Sequence, residues 1–278
     1  MKLRLLATLL LTGTSLGACA QSTLPAEGQA ASGGTQAAAS AKPAAPKAGT
    51  PAATATAALK KINPDIVPEK LGDAPIPGFQ QAIVAGQVIY VSNDGKYLMQ
   101  GSLYDIEAEK NLGEAVMAEV RRDLIKSIPV SDRIVFGPAN PKYNVVVFTD
   151  VECGYCRKMH SEIADYNKQG IAVQYVAFPR MGPASEDFRK MEAVWCSSDR
   201  RKALTAAKND RKVSEGRCKS PVAAQYALGQ RAGLTGTPMI LAEDGTQFGG
   251  YVPAEALRAA LDKHSAESQR GKPPGSQG

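Results

Sequence analysis

Tyr143-Asn144-Val145-Val146-Val147-Phe148 runs directly into Thr149-Asp150-Val151-Glu152-Cys153-Gly154-Tyr155-Cys156-Arg157-Lys158-Met159-His160. The first six residues read as a strand buried on both faces, β-branched and apolar without alternation. From Cys156 to Gln169 the spacing is helical, with Met159, Ile163 and Tyr166 on one face. The two cysteines therefore occupy a strand-to-helix junction, with Cys153 at the helix N-terminus. Unpaired backbone N–H groups and the positive end of the helix dipole favour a thiolate there. Cys153 is the expected nucleophile, with a pKa of roughly 3.5 to 7.5 against about 8.5 for a free thiol. Cys156, inside the first turn, is the shielded resolving thiol. Arg157 adds to the positive field, and Asp150 and Glu152 oppose it. His160, one turn beyond Cys156, reads foremost as a solvated helix residue, contact with the site being the lesser reading.

A zinc site would draw on Cys153, Cys156 and His160, with Cys196, Cys218 or His264 as the fourth ligand. Structural zinc sites arrive as two compact ligand pairs, and this chain has one. The expectation is a redox pair with no metal or other cofactor.

Thiol chemistry depends on compartment, and the N-terminus speaks to that. Lys2 and Arg4 precede an apolar run from Leu5 to Leu11, followed by the small residues Gly13, Ser15, Gly17 and Ala18. Residues 1–18 have the form of an export signal, too short to span a bilayer permanently. Leu16-Gly17-Ala18-Cys19 resembles the lipobox of bacterial lipoproteins, which implies lipidation of Cys19. Ala20 after it is compatible with the outer membrane; a soluble periplasmic protein is the alternative. Residues 19–58 are almost all small or polar and lack aromatics, the composition of a disordered tether. A Gly/Pro/Ser-rich tail is expected over 266–278. About two hundred residues remain, enough for two modest domains.

The formal charge of +6 includes Lys2 and Arg4, so the chain without its leader carries 6 − 2 = +4, spread without a long basic run. Nucleic acid is not indicated. With Cys19 assigned to lipid, four cysteines remain, an even number that in an exported chain reads as disulfides. Three pairings are possible. Cys153 and Cys156 can close on each other across one turn, which leaves Cys196 with Cys218, the favoured arrangement.

Downstream, 171–178 is a second strand ended by Pro179, and helical segments follow at 185–196, 198–209 and 221–232. A loop through Gly236-Thr237-Pro238 enters a strand. Asp244-Gly245 then gives a tight turn into Thr246-Gln247-Phe248, and Pro253 opens a last helix over 254–264. Upstream, 78–85, 87–91, 96–100 and 103–107 read as short strands, with a hairpin signal at Asn93-Asp94-Gly95. The segment 113–128 has helical periodicity at Val116, Val120, Leu124 and Ile128, and Pro129 and Pro138 punctuate its exit.

A strand, a CxxC helix, a parallel strand, an inserted helical block and a Thr-Pro-led hairpin make the order of a thioredoxin fold. CGYC, Ala177-Phe178-Pro179-Arg180, Trp195-Cys196, Tyr226-Ala227-Leu228-Gly229 and Gly236-Thr237-Pro238 resemble the periplasmic disulfide isomerase family of DsbC and DsbG, over 59–265 and nearest its DsbC form. The resemblance implies an α+β, cystatin-like dimerisation domain over 59–112. It also implies a linker helix and loop over 113–141 and an α/β catalytic domain with a helical insertion over 142–265. It makes Cys153 and Cys156 catalytic, with Gly154, Tyr155, Thr237 and Pro238 in support and the Thr237–Pro238 peptide cis. Cys196–Cys218 becomes a structural disulfide, its loop of about twenty residues stabilising by about 3 kcal/mol.

The activity so implied is reduction and isomerisation of incorrect disulfides in exported proteins by a homodimer that also holds its clients. A membrane thiol reductase of the DsbD kind would return the dithiol. Thioredoxins carry a buried acid six residues before the first cysteine; here that residue is Val147, so escape through Cys156 should be slower. A dedicated reductase, DsbG-like or of the cytochrome-maturation type, and a holding chaperone with an idle CxxC are the competing readings.

Overall fold

A computed structural model describes residues 45–270 apart from Glu215 and Arg217. The expected signal peptide, Cys19, the tether up to residue 44 and the end of the tail lie outside the described residues.

The first element among the described residues is α1, Pro51–Ile62. Thr50 caps it, its side chain accepting from Ala53 N, and Pro51 sits where a missing N–H costs nothing. The tether expected to reach residue 58 is thereby corrected. Its last eight positions are helical because Ala55 and Leu59 are buried against a sheet, a tertiary contact that composition does not reveal. That sheet is an antiparallel meander of β1 Lys70–Asp73, β2 Phe79–Val84, β3 Gln87–Ser92 and β4 Leu98–Gln100. A two-residue turn joins β2 to β3, Ala85 and Gly86 both taking positive φ. A small ribbon follows, β5 Tyr104–Asp105 with β6 Lys110–Asn111. The Asn111 side chain then caps α2, Leu112–Ser127.

The second sheet contains β7 Ile134–Phe136 and β8 Tyr143–Thr149. After β8 come α3 Gly154–Ser161 and α4 Ile163–Lys168, with a break at Glu162 where one continuous helix was expected. β9 Ile171–Ala177 is followed by α5 Glu186–Trp195, α6 Arg200–Lys208 and α7 Val222–Arg231. β10 Met239–Ala242 and α8 Ala254–Arg270 complete the chain. The strand order is β10-β8-β9-β7, with β8 and β9 parallel and both outer strands antiparallel.

Three further expectations change. Residues 134–136 pair with β9 rather than forming linker, so the catalytic sheet starts before residue 142. The return of the last hairpin is a single bridge, Leu241 to Gln247, not a strand. The final helix runs to Arg270, past the expected start of the tail, because Leu257 and Leu261 anchor it on the core.

Side chains of β8 alternate between two apolar layers. Val145 and Val147 pack with Met159, Tyr166, Tyr175, Trp195, Leu204 and Leu257. Val146 and Phe148 face the other way, onto Val120 and Leu124 of α2 and Ile128 at its C-cap, with Met117 and Ile83 in the same layer. The helix expected to join the two domains is thus also a wall of the catalytic domain. Gly245 marks how close this packing is: a Cβ there would stand 1.9 Å from the Ala118 carbonyl oxygen.

Candidate active site

β8, central in its sheet, delivers the site at its C-terminal end. Asp150 is fully buried and organises the turn that follows. One carboxylate oxygen accepts from Glu152 N at 2.7 Å, and the other accepts from Arg180 N at 3.1 Å and Arg180 Nε at 2.7 Å. Two segments far apart in sequence are clamped beside the cysteines in this way. Cys153 is then the N-cap of α3, with extended φ and ψ of −82° and 121°.

Both cysteines are free thiols and buried, Cys156 the more deeply. Cys153 Sγ donates to the Thr237 carbonyl at 3.1 Å, immediately before Pro238, and the Thr237–Pro238 peptide is cis. A hydrogen bond from Cys156 brings the Cys153 thiol down to about 5, despite burial, with help from Thr237, the Cys156 N–H and the Arg180 charge. Burial pushes Cys156 the opposite way, far above an ordinary thiol, and its hydrogen bond to Cys153 adds to that. A pair split so widely sets a readily ionised thiol beside one that resists ionisation.

The local charge balance, open in the sequence, resolves against Arg157. Its guanidinium is committed to Glu152 and Asp210, while Lys190 takes the other Glu152 oxygen. Asp150 is neutralised by Arg180. Arg180, which also bonds Asp150, is a cation whose charge helps lower Cys153; it is a residue quoted in the Phe-Pro-Arg motif but not marked as functional.

Gly154 leaves open space where a Cβ would point, and Tyr155 is exposed, stacking on Tyr251 at 6.1 Å between ring centroids. Met181, next to Arg180, is also exposed. His160 corrects the solvated reading: it is 4% exposed, with Nδ1 3.2 Å from the Tyr175 hydroxyl and Nε2 2.9 Å from the Thr205 hydroxyl. Burial first, and Lys208 second, bring it down to about 4. Sequence reasoning missed Lys208 altogether, since nothing marks the last residue of a polar helix as buried.

Cys196 and Cys218 are joined by a disulfide with Cα atoms 5.5 Å apart. His264 bonds Asp244. Among the described residues no three His, Cys, Asp or Glu side chains are placed to hold a metal ion, and no helix is long and apolar enough to cross a membrane.

The disulfide bond isomerase N-terminal domain matches residues 37–114, and a thioredoxin-like domain matches 132–265. The thiol:disulfide interchange protein DsbC of Dickeya dadantii is 39% identical over 201 residues, 72% of this chain and 82% of that protein. Its counterpart in Escherichia coli K12 is 36% identical over 193 residues, covering 69% and 80%. A solved disulfide interchange protein from Neisseria gonorrhoeae, 29% identical, covers 49% of this chain and 97% of its own, with a TM-score of 0.44.

Proposed function

The chain belongs to the DsbC family of thiol:disulfide interchange proteins, and we propose that within it Cys153 attacks the substrate disulfide while Cys156 resolves the product. It is a disulfide isomerase, an oxidoreductase with a thioredoxin-like catalytic domain. The single observation carrying the assignment is the opposed placement of the two thiols. Cys153 caps α3 and is held near 5, whereas Cys156 is buried beneath it and pushed up.

The Cys153 thiolate attacks one sulfur of a wrong disulfide and displaces the other as a thiolate, leaving a mixed disulfide. Isomerisation finishes when another substrate thiolate attacks that bond and regenerates Cys153. Reduction finishes when Cys156 attacks Cys153, closing the internal disulfide and releasing the reduced substrate. The Thr237 carbonyl, Gly154 and exposed Tyr155 and Met181 offer an extended chain a polar edge, room and apolar contact, which supports their role in holding the client.

The N-terminal domain supports a homodimer. β4 is an edge strand with Leu98 and Met99 exposed, and Tyr97, Tyr104 and Ile106 lie exposed on the same small domain. Clients are misfolded exported proteins, the compartment is the periplasm, and a membrane thiol reductase of the DsbD kind restores the dithiol. The leader and the Leu-Gly-Ala-Cys run support anchoring through a lipid on Cys19, to the outer membrane.

Cys153→Ala should abolish both disulfide cleavage and isomerisation. Cys156→Ala should accumulate mixed disulfides with clients, visible on non-reducing gels, and keep part of the isomerase activity. Iodoacetamide at mildly acidic pH should label Cys153 first in the reduced protein; prior labelling of Cys156 would reverse the assignment.

A further inference from the structure

Cys156 must become a thiolate to resolve a mixed disulfide, yet its surroundings disfavour the charge: it is 1% exposed. Lys208, the last residue of α6, sends its side chain to the same place and is itself 4% exposed. Its Nζ donates to Thr149 Oγ1 at 2.8 Å and to the Asp150 carbonyl at 3.4 Å, with the Tyr175 ring centroid 5.4 Å away. The Thr149 side chain and the Asp150 backbone are also hydrogen-bonding neighbours of the Cys156 thiol. Thr149 is therefore a neighbour of both the ammonium and the resolving sulfur.

Both hydrogen-bond partners of Lys208 are uncharged. Burying an ammonium without an anion costs several kcal/mol, a large share of what many proteins have to spare. A lysine at a helix end ordinarily extends its head to water. The anion it lacks is one the site produces: Asp150 is committed to Arg180, whereas Cys156 becomes negative when it acts. Burial, the main influence, lowers Lys208 to about 8; Cys156, Asp150 and Cys153 raise it and Arg157 lowers it. His160 from α3 and Tyr175 from β9 complete the titratable groups around it.

We propose that Lys208 is a positioning residue for the resolving step, its buried ammonium held by Thr149 as the counter-charge against which Cys156 ionises. The inference rests on the assignment of Cys153 and Cys156 above. In the mixed disulfide, the Cys156 thiol gives its proton to water and its anion stands against Lys208. Its electron pair forms the Cys153–Cys156 bond while the bond from Cys153 to the substrate sulfur breaks. That sulfur leaves with the bonding pair and takes a proton from water. The two cysteines lose two electrons, the substrate disulfide gains them, and Lys208 keeps its proton.

Mixing the reduced protein with oxidised glutathione forms a mixed disulfide on Cys153, and rapid-quench mass spectrometry follows its closure by Cys156 as a function of pH. Lys208→Met keeps the unbranched apolar stem and removes the charge. It should raise the pH midpoint of closure by about two units and slow closure at pH 7 about tenfold, the greater nucleophilicity of a more basic thiolate offsetting part of the loss. An unchanged midpoint would overturn the role of Lys208 and leave the thiol assignment standing. Failure of the wild type to form any adduct at Cys153 would overturn the assignment instead. A second measurement is the ¹³Cε resonance of Lys208, titrated in Cys153→Ala, where Cys153 contributes no charge, and in Cys153→Ala combined with Cys156→Ala. Removing the Cys156 thiol should lower the Lys208 midpoint. Equal midpoints would overturn the proposal.

Discussion

Asp150 and His160 lie within ten residues of each other, and each takes its meaning from a distant strand or helix. Asp150 is committed to Arg180, beyond the end of β9, and His160 to Tyr175 on β9 and Thr205 on α6. The consequence for His160 is a pH-dependent stability whose sign can be worked out. Its folded pKa is about 4, below the ordinary histidine value near 6.5, so the unfolded chain takes up a proton that the folded chain refuses. The contribution is present in full above the unfolded value and is lost as pH falls through this window, on the order of 2 kcal/mol by pH 5. Urea unfolding of the wild type at pH 7.5 and pH 5 should show that loss. In His160→Gln the difference between the two pH values should shrink by about the same amount; an undiminished difference would assign the acid sensitivity elsewhere.

α6 sits inside the loop that the Cys196–Cys218 disulfide closes, a separation of 22 residues. It is short and polar, with Ala203 and Leu204 as its buried apolar contacts, so the cross-link at its borders carries much of its placement. Replacing both cysteines by alanine should lower stability by about 3 kcal/mol in denaturant titrations, and alkylation of Cys153 should keep its low pH midpoint. A Cys196–Cys218 bond that opens at the same redox potential as the CxxC pair would be redox-active rather than structural. The elements most legible in the sequence were those with their own signals. The apolar run of β8, the CxxC at its end and the Thr-Pro before β10 marked the core of the catalytic domain and its thiols. α1 was missed because alanine-rich composition is shared by tethers and helices, and only Ala55 and Leu59 meeting a sheet distinguishes them. β7 was missed because three residues between prolines carry too short a pattern, and its identity comes from pairing with β9. Lys208 was illegible for the same reason: its burial is a property of how α6 packs on α3, not of its neighbours in sequence.

At the scale of the molecule, the boundary between the two domains decides what can be separated. The apolar face of Val146, Phe148, Val176 and Met239 is covered by Val120 and Leu124 of α2 and by Ile128 at its C-cap, so α2 belongs to the catalytic body as much as to the linker. Arg121 adds a polar tie, its Nε donating to the Ala232 carbonyl at 3.0 Å. A fragment starting at residue 142 would lack both α2 and β7, leaving a sheet face and the edge of β9 open, and should aggregate. A fragment covering 111–270 keeps the Asn111 cap, α2 and β7, and should be soluble. It should also be monomeric, because the proposed dimer surface lies in the sheet it has lost. Such a monomer retains Cys153 and should reduce insulin at a rate per site close to the full chain. Without two catalytic domains facing one client, its refolding of a scrambled multi-disulfide protein should fall about tenfold, since a released intermediate is not recaptured at the high effective concentration that a paired site provides. Sedimentation, insulin turbidity and refolding yield on the same preparation separate these outcomes. If the full chain sediments as a monomer at micromolar concentration, or if the fragment isomerises as well as the full chain, the paired-site mechanism is wrong and a single thioredoxin-like domain suffices.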